Sequence, residues 1–267
     1  MARDVRLRFC SKQKFIQNDS RSKKMENSIY IGLSRQTALR RELSLVANNI
    51  ANINTTGFKR ELGIYAVSQT DTKFSNKLDF VIDRGTAVSF EPGGLIVTEN
   101  DFDVAVNGPG FFAVDDGDGI KFSRNGALSL SPDNQLITRA GDAVVDEDGL
   151  PILIPQDGRK LQIGFDGTIS LDSEVIAKMR LVEFEDHHLL QKKGNSLFET
   201  EEKPKPAENS RLLQGNLEAG NVTPVKELMR LLNIHRSYEA VNSFLEREAE
   251  RQQTVIRRIG RGASSAV

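Results

Sequence analysis

The chain is poor in cysteine, histidine and tryptophan, and these shortages exclude whole classes of site. Its single cysteine, Cys10, excludes an internal disulfide framework and a cysteine zinc site. Of the three histidines, His187 and His188 point in different directions in any regular structure, and no third ligand stands near them. We therefore expect neither a metal site nor a cofactor. No run of about 18 apolar residues is present, so we expect no insertion into a membrane.

The start of the chain is basic but lacks the apolar core of a secretory signal. Residues 1–24 carry eight Lys and Arg against two Asp, whereas the rest of the chain is acidic overall. A basic tail can bind nucleic acid, but the acidic body would repel phosphate, so we expect no nucleic-acid partner. "MENSIY", which begins at Met25, looks like a second start. We interpret residues 1–24 as a disordered basic extension that precedes the native protein.

The segment from Ser28 to Thr56 has the apolar spacing of a helix. Intervals of four, three, four and three residues separate Leu39, Leu43, Val46, Ile50 and Ile53. This is the spacing of the a and d positions in helices that pack along one another. Ser28 is the predicted N-cap, and Gly57 is the predicted left-handed residue that ends the helix.

A second helix is predicted from Pro224, with Thr223 before it as the N-cap. Intervals of three and four residues again define its apolar line, which comprises Leu228, Leu231, His235, Tyr238, Asn242, Leu245, Ala249, Gln252, Ile256 and Ile259. Such a helix would be roughly 54 Å long at about 1.5 Å per residue, so it would overhang a compact β domain. Asn242 and Gln252 are polar residues of the kind that fix the register of paired helices.

The middle of the chain, residues 85–198, has the pattern of an antiparallel β domain. Short apolar runs such as "FFAV", "QLITRA" and "LPILIP" are separated by Asn-Gly and Asp-Gly dipeptides, which supply the positive φ angles of tight hairpins. Residues 61–84 and 199–211 are predicted to be extended connectors. The predicted fold class is α+β, with the β domain inserted between long terminal helices. Residues 25–60 and 212–262 would pair as one discontinuous, coiled-coil-like assembly domain.

Motifs of catalysis are scarce in this sequence. It has no Gly-x-Ser-x-Gly elbow, no phosphate-binding loop and no Rossmann glycine pattern after a strand. Clustered carboxylates such as Asp115, Asp116 and Asp118 stand beside glycines in predicted turns, where Asp is the ordinary choice. We therefore expect no enzyme and no small-molecule substrate. The alternative from another class is a secreted carbohydrate-acting enzyme, which would need two carboxylates facing each other across a cleft.

Three stretches of the chain resemble the bacterial flagellar rod and hook proteins, and they occur in the family's order. "MENSIYIGLSRQTALRRELSLVANNIANINTTGFKRE" is similar to the N-terminal signature, an Asn-Asn-x-Ala-Asn run followed by Thr-Gly and Phe-Lys. "NGPGFFAV" and "FSRNGALSLSPDNQLITRAGDAVV" resemble the β domain, and "LLQGNLEAGNVTPVKELMRLLNIHRSYEA" resembles the C-terminal signature. The start and the length are most similar to subunits of the proximal rod, with the distal rod or the hook as the alternative.

The resemblance implies a structural subunit of the flagellar basal body, and so a protein of bacterial motility. Its terminal helices would polymerise with copies of itself and with other rod proteins into a tubular drive shaft, and its β domain would form the outer layer. The rod spans the periplasm. The subunit would reach it through the flagellar type III export apparatus, in agreement with the missing secretory signal.

The resemblance also suggests a reason for the four asparagines in "VANNIANINTTGFKRE", a residue type that weakens helix interiors. Asn48 and Asn52 lie one turn apart, so they could exchange hydrogen bonds with neighbouring subunits and specify one register. The alternative is that these asparagines only fray the end of the helix. The predicted assembly interface comprises Leu39, Leu43, Val46, Asn48, Asn49, Ile50, Asn52, Ile53, Gly57, Phe58, Leu228, Leu231, Tyr238, Asn242, Leu245 and Ile256. By contrast, Leu153 is predicted to lie within a strand, where its replacement should lower the melting temperature of the isolated subunit.

Overall fold

A computed structural model of the chain describes the backbone of residues 4–71 and 77–264, and the side chains of residues 28–69 and 79–258. In the described part, two long helices flank eighteen strands in sequence: α1 (Asp4–Ala51) comes first and α2 (Pro224–Ser264) last. A short 3-10 helix, His187–Leu189, lies between β13 and β14.

The strands run in chain order as follows: β1 (Glu61–Asp71), β2 (Lys77–Val88), β3 (Leu95–Val97), β4 (Val104–Asn107), β5 (Phe111–Asp115), β6 (Ile120–Ser123), β7 (Leu128–Leu130), β8 (Leu136–Thr138), β9 (Ala143–Val144), β10 (Leu161–Ile163), β11 (Thr168–Leu171), β12 (Glu174–Lys178), β13 (Leu181–Glu183), β14 (Gln191–Lys192), β15 (Leu197–Glu199), β16 (Lys205–Pro206), β17 (Arg211–Gln214) and β18 (Asn216–Glu218).

The strands form one large sheet and several small ones. The main path of the large sheet is β14-β15-β6-β5-β9-β8-β7, and β13 joins it by pairing with both β5 and β16. A three-stranded sheet has the order β10-β11-β12, and β1–β2, β4–β17 and β3–β18 are two-stranded sheets. Hairpins such as β5–β6 and β7–β8 are antiparallel. The prediction of an α+β fold with an antiparallel β region is therefore confirmed.

Glycine supplies the backbone conformation at several of the predicted turns. Gly119, in the β5–β6 turn, has a φ of 133°, and Gly149 has a φ of 83°. A residue with a Cβ rarely adopts these angles, so the Asp-Gly dipeptides mark where the chain can reverse. Asp116 and Asp146 support the same two turns, because each carboxylate accepts a backbone N–H from two residues later.

The β-rich region encloses two apolar clusters. The larger cluster contains buried residues from many strands, among them Phe112, Leu136 and Ile152. The smaller cluster is aromatic, and its rings include Phe111 and Phe198, whose centroids lie 5.9 Å apart at an edge-to-face angle. Burial of each large apolar side chain contributes roughly 1.5–3 kcal/mol, so these clusters are the main source of the region's stability.

The chain divides into two compact units. The helical unit comprises the described parts of Met1–Ala47, Gly63–Thr86 and Leu228–Val267. The β-rich unit comprises Asn48–Leu62 and Ala87–Glu227. Each unit is therefore discontinuous in sequence, and the chain passes between them four times.

The N-terminal segment differs from the prediction. Residues 1–24 were expected to be disordered, but the backbone is helical from Asp4 onward, while residues 1–3 lie outside the described residues. No glycine or proline occurs before Gly32, and the segment is rich in the good helix formers Lys, Arg and Gln, so nothing in it interrupts a helix. Ser28 consequently lies inside α1 instead of forming its N-cap. The helix also ends earlier than predicted, at Ala51, because a series of turns begins there.

The predicted connectors contain paired strands. Most of residues 61–84 lie in β1 and β2, whose runs "GIYAV" and "FVI" are rich in the β-branched and aromatic residues that favour strands. In the other connector, residues 199–211, Lys205–Pro206 pairs with β13.

The β-rich unit also extends further along the chain than residue 198. β17 pairs with β4, and Leu212 of β17 is fully buried, so the start of the predicted helical segment 212–262 closes the β-rich unit.

Leu153 is not a core residue. Its side chain is 55% exposed, whereas its neighbours Ile152 and Ile154 are 1% and 2% exposed. In "LPILIP" the three apolar residues alternate, so two of them face the core and the middle one faces solvent. The structure therefore gives no support to the prediction that a change at Leu153 destabilises the subunit, because the side chains that face the core are those of Ile152 and Ile154.

Candidate functional site

Within the helical unit, α1 and α2 contact each other in opposite directions. The Nε2 of Gln36 donates to the Oδ1 of Asn242 at 3.2 Å. Further along α1, the guanidinium of Arg230 lies 2.8 Å from the carboxylate of Glu42. Because the position on α2 falls as the position on α1 rises, the two helices are antiparallel.

Gly32 of α1 lies against Leu245 and Phe244 of α2. A Cβ added at Gly32 would lie only 2.8 Å from the Cδ2 of Leu245, so glycine is what allows this approach. An open groove of about 490 Å³ surrounds this contact, and residues such as Ile31 and Ala240 line it from both helices. Gly32 is not among the predicted interface residues, although a glycine inside a helical pattern is a signal of close packing.

The predicted line on α1 faces inward. Leu39 and Val46 are buried, and Leu43 and Ile50 are half-buried. Ile53 is also half-buried, but it lies in the turns after α1.

On α2, every second residue of the predicted apolar line faces inward, and most of the residues between them do not. Leu231, Tyr238, Leu245 and Gln252 are half-buried, as the predicted spacing indicates. The positions between them that turn inward are Ile234, Val241 and Glu248, with Ile234 and Glu248 buried. The predicted Leu228, His235, Ala249 and Ile256 are exposed, and Asn242 is half-buried. Ile234 is therefore absent from the predicted line, although it precedes His235 by one residue and fits the same three-and-four spacing.

A second set of apolar side chains on α2 faces solvent. Met229 is 61% exposed, Leu232 is 49% exposed and Ile256 is 69% exposed. The set also includes Val225, Leu228, Phe244 and Val255. A single exposed leucine is ordinary on a protein surface, but several large apolar residues exposed along one helix are typical of a protein–protein interaction surface.

The asparagines after Val46 make hydrogen bonds within the chain. The amide of Asn49 is fully buried and bonds twice to the backbone of Glu61, as donor and as acceptor, at 2.9 Å each. The Nδ2 of Asn52 donates to the backbone oxygen of Asn48 at 2.9 Å. The side chain of Asn48 is exposed. Of the three, only Asn48 presents its side chain freely to solvent.

Gly57 is buried where the chain enters the β-rich unit. It is left-handed, with a φ of 65°, as predicted, but it does not end the helix, because α1 ends at Ala51. A Cβ there would lie 2.5 Å from the backbone nitrogen of Asn125, so the position is closed to any other residue for two independent reasons. Its N–H donates to the backbone oxygen of Glu218 at 2.8 Å. Phe58, the next residue, is buried under the ammonium of Lys192, which lies 3.7 Å from the ring centroid.

Glu218 forms a buried cluster with two cations. The Nζ of Lys59 donates to its Oε1 at 2.6 Å, and the Nη1 of Arg124 lies 3.5 Å from its Oε2. All three side chains are at most 4% exposed. Burial lowers the pKa of Lys59 and of Arg124, while the carboxylate of Glu218 opposes both shifts. This cluster is not predictable from the sequence, because a lone Glu at the end of a short strand carries no sign of burial.

Asn221 makes a second set of contacts next to this cluster. Its Oδ1 accepts the N–H of Arg60 at 2.7 Å, and its Nδ2 donates to the backbone oxygens of Ser89 at 2.7 Å and Glu91 at 3.0 Å. The guanidinium of Arg60 also lies 3.4 Å from the buried carboxylate of Glu227. One asparagine thus joins three separate parts of the chain.

The clustered carboxylates at the end of β5 support a turn. Asp115 and Asp116 each accept a backbone N–H from two residues later, as ordinary turn carboxylates do. Among the described residues, no group of three or more His, Cys, Asp or Glu side chains is arranged to hold a metal ion. No helix in the described part of the chain is long and apolar enough to cross a membrane.

Comparison with known proteins accounts for this arrangement of motifs. The model for the flagella basal body rod protein matches residues 29–59, the model for the flagellar hook protein FlgE/F/G D1 domain matches residues 105–171, and the model for the flagellar basal body rod FlgEFG protein C-terminal matches residues 213–258. The flagellar basal-body rod protein FlgF of Caulobacter vibrioides is 38% identical over 243 residues, which cover 89% of this chain and 99% of that protein.

The chain belongs to the flagellar basal-body rod protein family. It is of the FlgF type, and it is a structural subunit of the rod of the bacterial flagellum. FlgF of Mesorhizobium japonicum is 29% identical over 88% of this chain and 99% of that protein. FlgG of Buchnera aphidicola subsp. Schizaphis graminum is 29% identical over 81% of this chain and 93% of that protein. As a rod protein, the subunit belongs to the basal body and assembles with other rod components.

The family matches also divide the structure. The N-terminal match, residues 29–59, contains most of the side-chain-described part of α1 and ends at Lys59. The C-terminal match, residues 213–258, begins in β17 and contains Glu218, Asn221 and most of α2. In the rod protein, the two terminal matches therefore meet at the contact between Lys59 and Glu218.

Proposed function

We propose that this rod subunit polymerises through its terminal helices, which pair in a coiled-coil-like manner and bind copies of the chain and other rod proteins. The observation that carries the proposal is the group of exposed apolar residues near the start of α2, Leu228, Met229 and Leu232, which remains although the opposite side of α2 contacts α1. Each large apolar side chain covered on assembly would contribute roughly 1.5–3 kcal/mol. In a tube that contribution recurs in every subunit.

Polar contacts between the helices support a defined register. Gln36 and Asn242 form a side-chain hydrogen bond, and Arg230 and Glu42 form a half-buried ion pair. A polar pair inside a helical seam contributes less to stability than apolar packing, but it is satisfied in only one alignment. Such pairs would hold each subunit's helices in the alignment that presents Met229 and Leu232 to neighbours.

The proposal includes the remaining features of a rod component. The subunit would act as part of a tubular drive shaft and not as an enzyme, which agrees with carboxylates that serve turns. It would reach the rod through the flagellar type III export apparatus. A single cysteine supports this route, because no disulfide has to form before or after export.

A pair of matched variants tests the proposal. Leu232→Asp places a charge on the exposed apolar set of α2, and Leu153→Asp places the same charge on a similarly exposed leucine of the β-rich unit. Both variants should keep the circular dichroism and the melting temperature of the isolated wild-type subunit. Only Leu232→Asp should fail to restore swimming and fail to appear in purified basal bodies of a deletion strain. If Leu232→Asp assembles as well as Leu153→Asp, the exposed face of α2 is not the polymerisation surface.

A further inference from the structure

Three parts of the chain that are far apart in sequence meet at the side chain of Glu218. Its Oε1 accepts from the Nζ of Lys59 at 2.6 Å and from the N–H of Gly93 at 2.9 Å. Lys59 also donates to the backbone oxygen of Glu91 at 2.9 Å, so the same ammonium joins two of the three parts. The backbone oxygen of Glu218 accepts the N–H of Gly57 at 2.8 Å. One residue thus links Gly57–Lys59, Glu91–Gly93 and the end of β18.

Because of the charges around it, Glu218 is the residue of this cluster whose neutralisation should destabilise the structure most. Lys59 and Arg124 are buried cations that both pair with this carboxylate, and Glu183 adds only a weaker attraction to Arg124. Without Lys59, the pair of Arg124 and Glu218 would remain neutral overall. Without the charge of Glu218, two buried cations would face each other with no counter-charge from it, and an unpaired buried charge is strongly destabilising. The contribution of the carboxylate therefore exceeds that of either cation.

The three linked parts have a special position in the chain. Gly57–Lys59 lies in Asn48–Leu62, whose two ends both continue into the helical unit. Glu91–Gly93 follows directly on Ala87, where the chain returns from β2, and β18 precedes the last passage at Glu227. All four passages between the units thus leave from the segments that Glu218 and Asn221 hold together.

We propose that Glu218 is a positioning residue, which holds together the segments through which the chain leaves the β-rich unit. These segments therefore unfold and refold locally as one cooperative unit. Asn221 repeats the same connections through neutral hydrogen bonds to Arg60, Ser89 and Glu91. The consequence for the rod rests on the proposed function, since the position of these linked segments affects the rod only if the terminal helices assemble. The linkage itself does not depend on assembly.

Hydrogen–deuterium exchange of the full-length monomer, followed by mass spectrometry, tests the linkage. In Glu218→Gln, residues 57–60, 89–94 and 216–222 should all exchange roughly 150- to 5,000-fold faster, the range expected when a buried charge loses its partner. The strand Phe111–Asp115 should keep its wild-type protection. Lys59→Met should accelerate the same three segments by less than about tenfold, because a neutral pair remains. Glu185→Gln removes an exposed carboxylate from an ion pair with Lys205 and should change none of them.

Two results would overturn the proposal. If all segments of the β-rich unit accelerate by one factor, Glu218 only contributes to global stability. If the three segments respond independently, or no more than in Glu185→Gln, no linkage exists.

Glu218→Asp covers the case in which Glu218→Gln does not fold. Asp keeps the charge but is one methylene shorter, so the three segments should still accelerate together, whereas a role in charge balance alone predicts wild-type exchange. Because these measurements use the monomer, failure of Leu232→Asp to block assembly would remove the proposed function without altering their outcome.

Discussion

The side-chain amide of Asn49 is hydrogen-bonded on both sides to the backbone of Glu61, twelve residues later in the chain. A side chain of α1 thus substitutes for a strand partner at the first residue of β1. Its donor and its acceptor are both satisfied, and the amide is completely buried. Such a group is costly to replace, because a side chain without both a donor and an acceptor leaves a part-buried backbone group of Glu61 without its partner.

Asn49→Asp should therefore destabilise the subunit by about 3 kcal/mol or more, since it removes the donor to Glu61 and buries a charge. The neighbouring change Asn48→Asp is the matched control, because that side chain is exposed. It should alter the free energy of unfolding by no more than about 0.5 kcal/mol. Urea denaturation of the two variants gives the comparison, and equal losses would mean that the contact with Glu61 is unimportant.

Gly57→Ala should be more damaging than the same change at another left-handed glycine. Gly141 has a φ of 100° but nothing within 4 Å of an added Cβ, so Gly141→Ala measures backbone strain alone. At Gly57 the added Cβ would also meet the backbone of Arg124 and Asn125. We expect Gly57→Ala to lower the free energy of unfolding by about 1–3 kcal/mol more than Gly141→Ala. Equal effects in thermal melts would show that the surrounding backbone yields.

Acid should weaken the β-rich unit through His187. Its ring lies 5.2 Å from that of Phe90, and its Nε2 has no hydrogen-bond partner among the described residues. Burial, and then the positive charge of Arg124, lower the pKa of His187 below its ordinary value, although Asp186 and Glu202 oppose this. The unfolded chain therefore takes up a proton that the folded one resists, so this contribution is complete above about pH 6.5 and is lost as the pH falls further.

Urea denaturation at pH 7.5, 6.5 and 5.5 measures that loss. His187→Leu should flatten the decline in the free energy of unfolding over this range, whereas His188→Leu, at an exposed neighbour, should retain it. An unchanged decline in His187→Leu would assign the acid sensitivity to other groups.

The alternation at residues 152–154 gives a direct test of the core. Ile152→Ala should lower the free energy of unfolding by about 2–5 kcal/mol, because it leaves a cavity in the larger apolar cluster. Leu153→Ala should change it by no more than about 0.5 kcal/mol, because that side chain is mostly in solvent. Thermal melts of the two variants would contradict the observed alternation of burial if Leu153→Ala were the more damaging.

Local signals in the sequence were sufficient for several elements. Thr223-Pro224 predicts the start of α2, and the structure places the start at Pro224. Gly57 is left-handed as predicted, and the Asp-Gly dipeptides at Gly119 and Gly149 lie in turns. In each case the physical cause, a fixed proline φ or a glycine without a Cβ, lies within one or two residues. Such features do not depend on the rest of the fold.

Features that depend on distant partners could not be predicted in this way. On α2, the line through His235 and the line through Ile234 have the same spacing, and only the packing of the folded helices decides which one turns inward. Lys59 and Glu218 are 159 residues apart, and each alone resembles a surface charge. Residues 61–84 are predicted to be connectors because polar residues surround their two short apolar runs, and only the pairing of β1 with β2 makes these runs part of a sheet.

Thiol labelling measures most directly whether neighbouring subunits cover the exposed apolar residues near the start of α2. Since Cys10 is the only cysteine, a Cys10→Ser chain with Met229→Cys carries one reactive thiol at one of these positions. A matched chain with Val175→Cys carries one on an exposed position of the β-rich unit. A maleimide should label both thiols rapidly in the monomer. In assembled rods it should still label the thiol at position 175 but should react at least about tenfold more slowly at position 229, as expected for a buried group. Equal labelling of position 229 in rods and in monomers would contradict the account.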